Sequence, residues 1–125
     1  MILFLDDDPA RAALAYQRFS EKDRGNVIWC MTVEEALITL KDYENLLTRV
    51  SLGHDFGGEK FVHTAREDCG MEIVRYLEKQ ARENKLGNLK NIYFRIHSWN
   101  TDAGNVMYKR MKGIGLKVDF LPFGL

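Results

Sequence analysis

The chain carries 2 cysteines and 2 prolines in 125 residues, has no net charge, and contains no long hydrophobic run. Each shortage narrows the field. Cys30 and Cys69 lie far apart and form no C-x-x-C, which argues against a disulfide framework and for a reducing, cytoplasmic setting. Pro9 and Pro122 stand alone, and no Pro/Ser-rich linker, internal repeat or low-complexity tract divides the chain, so one domain over residues 1–125 is expected. The apolar opening from Met1 to Leu5 runs straight into Asp6, Asp7 and Asp8. It is too short for a signal-peptide core and far below the roughly 20 apolar residues of a membrane span, so no membrane partner is expected. Lys plus Arg number 18 and Asp plus Glu number 18. A binder of long nucleic acid usually carries a positive excess, so this balance argues against that partner. A small phosphate-bearing ligand or nucleotide is still allowed, because a local cluster can hold one inside a neutral protein.

What is present is a globular chain, 46% hydrophobic, in which short apolar runs alternate with amphipathic stretches. Ile2 to Leu5 predicts a buried strand. Asp8-Pro9 predicts a helix start, with an aspartate cap and proline at the first helical position. That helix is expected to run to about Ser20 and to turn Ala12, Tyr16 and Phe19 to one face. Val27 to Cys30 predicts a second strand. Thr32 and Glu35 form a capping box ahead of Val33, Ala36, Leu37 and Leu40 at helical spacing. Leu46 to Leu52 predicts a third strand, which Thr48, Arg49 and Ser51 make less apolar than the others.

Residues 53–69 show no periodicity and predict a long loop, of the kind that is more often functional than idle. Gly70 to Lys85 predicts a helix with Ile73, Val74, Leu77 and Ala81 inward and Gly87 beyond its end. Ile92 to Ile96 predicts a fourth strand. Asn100, Thr101 or Asp102 then caps a helix carrying Ala103, Val106, Met107, Arg110 and Met111, stopped near Gly113. Leu116 to Leu121 predicts a fifth strand. Regular alternation of strands and helices favours an α/β fold with a parallel sheet covered on both faces. The expected strand order is 2-1-3-4-5.

In such a sheet, ligands bind beyond the carboxyl ends of the strands, near the switch in strand order. Polar residues collect there. The first strand ends in Asp6, Asp7 and Asp8, the third in His54 and Asp55, and the fourth in His97 and Ser98, with Asn100 just after. Clustered carboxylates repel unless a proton or cation intervenes, and oxygen ligands suit a hard ion such as Mg2+. Asp6, Asp7 and Asp55 are therefore the candidate metal ligands, with Asp8 as a helix cap. His54 and His97 are the candidate acid–base pair, since imidazole titrates near neutrality. Ser98 is a candidate donor to a phosphate oxygen, and Asn100 either orients substrate or caps the next helix. His63 has no evident partner in the loop. Trp99 either stacks on a base or packs.

Certain strings carry a resemblance. Leu3-Phe4-Leu5-Asp6-Asp7, Ser51-Leu52-Gly53-His54-Asp55-Phe56-Gly57, the helix start at Gly70, and His97-Ser98-x-Asn100 leading to Met107 resemble the cyclic-phosphate-processing receiver domains. This family has the response-regulator receiver fold and occurs in bacteria and their large phages. The resemblance covers nearly the whole chain and implies processing of a small cyclic phosphate. Three departures stand out. Gly53 stands where the family usually has an aspartate, Leu121 replaces the receiver lysine, and no fifth helix is expected after Pro122. The leading expectation is a metal-assisted phosphoesterase-like enzyme acting on a small cyclic or nucleotide-derived phosphate. The alternatives are a non-catalytic receiver-like module that binds a nucleotide or protein partner, and a phosphoacceptor switch at Asp55.

Overall fold

The computed structural model describes residues 1–54 and 69–122. Five short strands form one sheet: β1 (Ile2–Leu5), β2 (Val27–Cys30), β3 (Arg49–Leu52), β4 (Tyr93–Ile96) and β5 (Lys117–Phe120). All pair in parallel in the order β2-β1-β3-β4-β5, as expected. Parallel neighbours need crossovers, and the helices supply them. These are α1 (Pro9–Arg18), the four-residue α2 (Glu21–Arg24), α3 (Val33–Tyr43), α4 (Met71–Arg82) and α5 (Thr101–Gly113), with a 3-10 turn at Gly87–Asn91. Among the described residues no helix follows β5, and no helix is long and apolar enough to cross a membrane. Asp55 and His63 lie outside the described residues.

Side chains alternate across a strand, so each strand serves both faces of the sheet. Leu3, Leu5, Val50, Leu52, Phe94, Ile96 and Val118 enter the main core. They meet Val33, Ala36 and Leu40 of α3, Ile73, Val74 and Leu77 of α4, and Met107 and Met111 of α5. The opposite face carries Phe4, Arg49, Ser51, Tyr93 and Arg95, beneath α1 and the groove beside it.

The helix ends follow local chemistry. The Asp8 carboxylate accepts from the Ala10 amide at 2.8 Å, and Pro9 opens α1. The Thr32 hydroxyl accepts from the Glu35 amide at 3.2 Å, while the Glu35 carboxylate reaches the Met31 amide at 3.3 Å. Of the three candidate caps for α5, Asn100 is the one used, accepting from the Ala103 amide at 3.2 Å.

Several expectations shift. The third strand begins at Arg49 instead of Leu46, because the amides of Leu46 and Leu47 bond back to the Tyr43 carbonyl and extend the end of α3 as a turn. Tyr16 points outward, 48% exposed, because Ala15 is the residue that α1 buries. The first helix stops at Arg18, since Ser20 caps α2. The last helix does carry the residues expected on it, with Ala103, Met107 and Met111 buried, Val106 exposed and Arg110 paired with Glu78 of α4.

Candidate functional site

The sheet register fixes the site. Leu5, Leu52 and Ile96 are aligned across β1, β3 and β4. The next residues, Asp6, Gly53 and His97, extend that row by one step beyond the strands. Backbone bonds continue the ladder through it: the Gly53 amide donates to the Leu5 carbonyl at 2.9 Å and the His97 amide to the Leu52 carbonyl at 3.0 Å. Asp6 and His97 therefore flank Gly53 on the same side of the sheet. With no side chain between them, they meet: His97 Nε2 lies 3.0 Å from Asp6 Oδ2.

Gly53 is what permits this contact. A Cβ there would stand 3.3 Å from His97 Nε2, 3.1 Å from the Leu5 carbonyl oxygen and 3.8 Å from Asp6 Oδ2. The family aspartate expected at this position would lie between the two groups that touch in this chain. Gly70 meets a stricter demand. A Cβ on it would come within 2.0 Å of the Gly53 carbonyl oxygen, and its amide donates to the His54 carbonyl at 2.9 Å. The start of α4 is thereby held against the Gly53–His54 turn.

Asp6 is filled from all sides. Its Oδ1 accepts from the Asp8 amide and Arg11 Nη2, each at 2.9 Å. Its Oδ2 accepts from Arg11 Nε at 2.9 Å and from His97. The Trp29 indole donates to the Asp6 carbonyl at 2.7 Å. Burial alone would push the Asp6 carboxyl up. The His97, Arg11 and Asp8 hydrogen bonds outweigh burial and hold it at about 2, below its ordinary 3.8.

His97 is buried, and burial lowers its pKa below 6.5 despite the neighbouring Asp6 carboxylate. The neutral ring then carries one proton. Ionised Asp6 only accepts, so that proton sits on Nε2, and Nδ1 is the basic nitrogen. Ser51 Oγ lies 2.7 Å from Nδ1 and donates to it. Phe4 stacks flat on the imidazole, with centroids 4.7 Å apart and planes 7° apart, which fixes the ring's plane. A groove of about 340 Å³ opens along this side of the sheet, and Ser51 and His97 line it.

The other expected site residues fall as follows. His54 is buried beside Gly53. Ser98 and Asn100 come together, the Ser98 hydroxyl accepting from the Asn100 amide at 3.0 Å. Asn100 Oδ1 is engaged in capping α5, which is the second of the two roles open to it from sequence. Trp99 is exposed. Asp7 is half-buried, 3.8 Å from Arg11. Arg11 also reaches Asp8 at 3.3 Å and so stands amid Asp6, Asp7 and Asp8, the first two of which were expected to hold a metal together with Asp55.

A metal does not fit Asp6 as it is held. An ionised carboxylate offers about four acceptor positions, and the four donors above occupy them. Among the described residues, no three His, Cys, Asp or Glu side chains gather as metal ligands would.

Arg11 belongs to no motif singled out from sequence, and Ser51 opens one of the strings that carry the resemblance without a role of its own there. Arg11 follows Asp6, Asp7 and Asp8 by five, four and three residues, so one turn of α1 returns it to them. Ser51 alternates with Arg49 on a strand whose other residues are apolar, which marks the polar face.

A family profile described as "Cyclic-phosphate processing Receiver domain" matches residues 1–113. The chain belongs to that family. This cyclic-phosphate processing receiver domain also resembles a solved signal receiver domain, from a protein described as a LuxO repressor of Vibrio parahaemolyticus. The TM-score is 0.62 at 10% identity, with 99% of this chain and 78% of that chain covered. At that identity the likeness concerns the fold. No curated protein matches the receiver domain.

Proposed function

We propose that this receiver domain is a phosphoesterase-like enzyme that opens or hydrolyses a small cyclic or nucleotide-derived phosphate, with His97 as its central base. The observation that carries this reading is the imidazole clamped between Asp6 and Ser51. Asp6 orients the ring and stabilises the imidazolium that forms when Nδ1 takes a proton. Arg11 keeps Asp6 ionised and in place. His54 is the second acid–base group of the reading, and Ser98 offers its hydroxyl proton to a phosphate oxygen. Asn100 holds the turn that carries Ser98. Two buried free thiols, Cys30 and Cys69, support a reducing compartment such as the cytoplasm.

A divalent cation, Mg2+ first, enters this reading only through Asp7 and Asp55, because Asp6 is taken. Turnover is therefore measured with and without Mg2+. Cyclic nucleotides and terminal cyclic phosphates are incubated with the protein and followed by phosphorus NMR. The expected result is ring opening that disappears in His97→Gln.

A second reading has its own support. Gly53 supplies no carboxylate, and Arg11 saturates Asp6, as suits a non-catalytic module that binds a nucleotide or a protein partner. Absence of turnover together with tight nucleotide binding that survives chelation would favour it.

A further inference from the structure

We propose that Ser51 is a nucleophile, attacking the phosphorus of a phosphoester bound in the groove on the α1 side of the sheet, with His97 taking its proton. The geometry has the three parts that activate a serine: hydroxyl to imidazole at 2.7 Å, imidazole to carboxylate at 3.0 Å, and a carboxylate fixed by further donors. The proton positions follow from the carboxylate. Asp6 accepts from Nε2, which leaves Nδ1 to accept from the serine.

The surroundings suit an anionic substrate. In the sheet register Ser51 is paired with Phe4 on one side and Arg95 on the other. Arg49, two residues back on β3, faces the same way, and Arg18 and Tyr93 complete the wall of the groove. Arg95 binds Asp119 through Nε and Nη2, at 3.0 and 2.9 Å, so Nη1 takes no part in that pair. Arg49 binds Asp23 through Nη2 alone and keeps Nε and Nη1 for other acceptors. Guanidinium groups beside the hydroxyl, on the neighbouring strand, and before it on its own strand are placed to hold phosphate oxygens. A groove of about 340 Å³ suits a small phosphate ester.

The step balances. The Ser51 Oγ–P bond forms as one P–O bond of the substrate breaks. The serine proton passes to His97 Nδ1 and then to the departing oxygen. In a cyclic phosphate that oxygen stays tethered, leaving a phosphodiester on Ser51. Water then attacks phosphorus and gives a proton to His97, and Ser51 Oγ departs with that proton. One water is consumed overall. The choice of a cyclic phosphate rests on the proposed function, whereas the nucleophile does not.

The two are tested separately. The intact chain is incubated with an alkyl fluorophosphonate, in which attack breaks the P–F bond and releases fluoride. Intact mass and peptide mapping are expected to give one adduct, at Ser51, absent from Ser51→Ala. Labelling is expected to slow by about tenfold or more in Asp6→Asn, which loses the tautomer-setting carboxylate. Circular dichroism checks that each variant is folded. A natively folded protein with no adduct at Ser51 overturns the proposal. Cyclic-phosphate turnover that persists in Ser51→Ala overturns it too, while leaving the proposed function standing. An adduct at Ser51 without turnover of any cyclic phosphate supports the nucleophile and removes the substrate.

Discussion

The two faces of the sheet are built from the same twenty strand residues and do opposite things. The face under α3, α4 and α5 presents Leu3, Leu5, Val50, Leu52, Phe94, Ile96 and Val118, all buried. The face on the α1 side presents Phe4, Ser51, Arg49, Tyr93 and Arg95. Its row ends in Asp6 and His97. One face removes apolar area from water and stabilises the fold. The other retains polar groups that water or a ligand can reach. The difference teaches that the alternation of side chains along one strand is enough to separate packing on one face from ligand-accessible polar groups on the other.

The widest break in that comparison is expected at two consecutive residues of β4. Phe94 is fully buried, and Phe94→Ala is expected to cost about 3–5 kcal/mol, the usual range for an aromatic removed from a core. Arg95 is next in the chain and on the other face, half-exposed and paired with Asp119. Arg95→Ala is expected to cost at most about 1 kcal/mol, because solvent screens such a pair. Urea denaturation of the two variants measures the gap. Equal losses would mean that the faces are not divided as described.

Much of this division is legible in sequence. Tyr93-Phe94-Arg95-Ile96 alternates openly, and Asp6, His54, His97 and Ser98 fall at strand ends once the strands are assigned. Thr48, Arg49 and Ser51 weaken the apolar signal of the third strand for the same reason that they matter: they include its working face. Two features escape the motifs, Arg11 although its helical spacing carries it and Gly53 because its effect depends on spatial neighbours. Asp6, Asp7 and Asp55 suggest a metal, yet Arg11 closes on Asp6 and Asp7 from the next helical turn. Gly53 reads as a lost ligand, yet its missing side chain is what allows His97 to reach Asp6. Neither spacing nor composition records which groups meet across a strand.

The polar row makes the second difference, in its response to acid. Asp6 is held at about 2 in the folded chain, below its ordinary 3.8. A depressed carboxyl contributes stability above the unfolded value, and that contribution disappears as pH falls from 3.8 towards 2. The shift corresponds to roughly 2 kcal/mol. His97 acts in the same direction at higher pH. Burial lowers its pKa, so below about pH 6.5 the unfolded chain takes up a proton that the folded chain resists. Stability is therefore expected to begin falling below pH 6.5 and to fall again below 3.8. Urea titrations at pH 7, 5 and 3 check this, with His97→Gln expected to flatten the first interval. A wild-type curve that is level from pH 7 to 5 would show that His97 is not held neutral.

The finest distinction lies within the polar row itself, at its one residue without a side chain. Gly53→Ala adds a single methyl group, 3.1 Å from a backbone oxygen and 3.3 Å from His97 Nε2. The Leu5 oxygen is fixed in the ladder, so the imidazole is the group that must yield. Moving it a few tenths of an ångström lengthens the Asp6–His97 bond and disturbs the Phe4 stack. The expected cost is about 1–2 kcal/mol, in the range for crowding a packed site. The stability change alone does not identify the cause, so it is read together with the imidazole nitrogens by nitrogen NMR. Displacement from Asp6 is expected to weaken the preference for the Nε2–H tautomer in Gly53→Ala. An unchanged tautomer and unchanged stability would mean that Asp6 and His97 meet without help from the empty position between them.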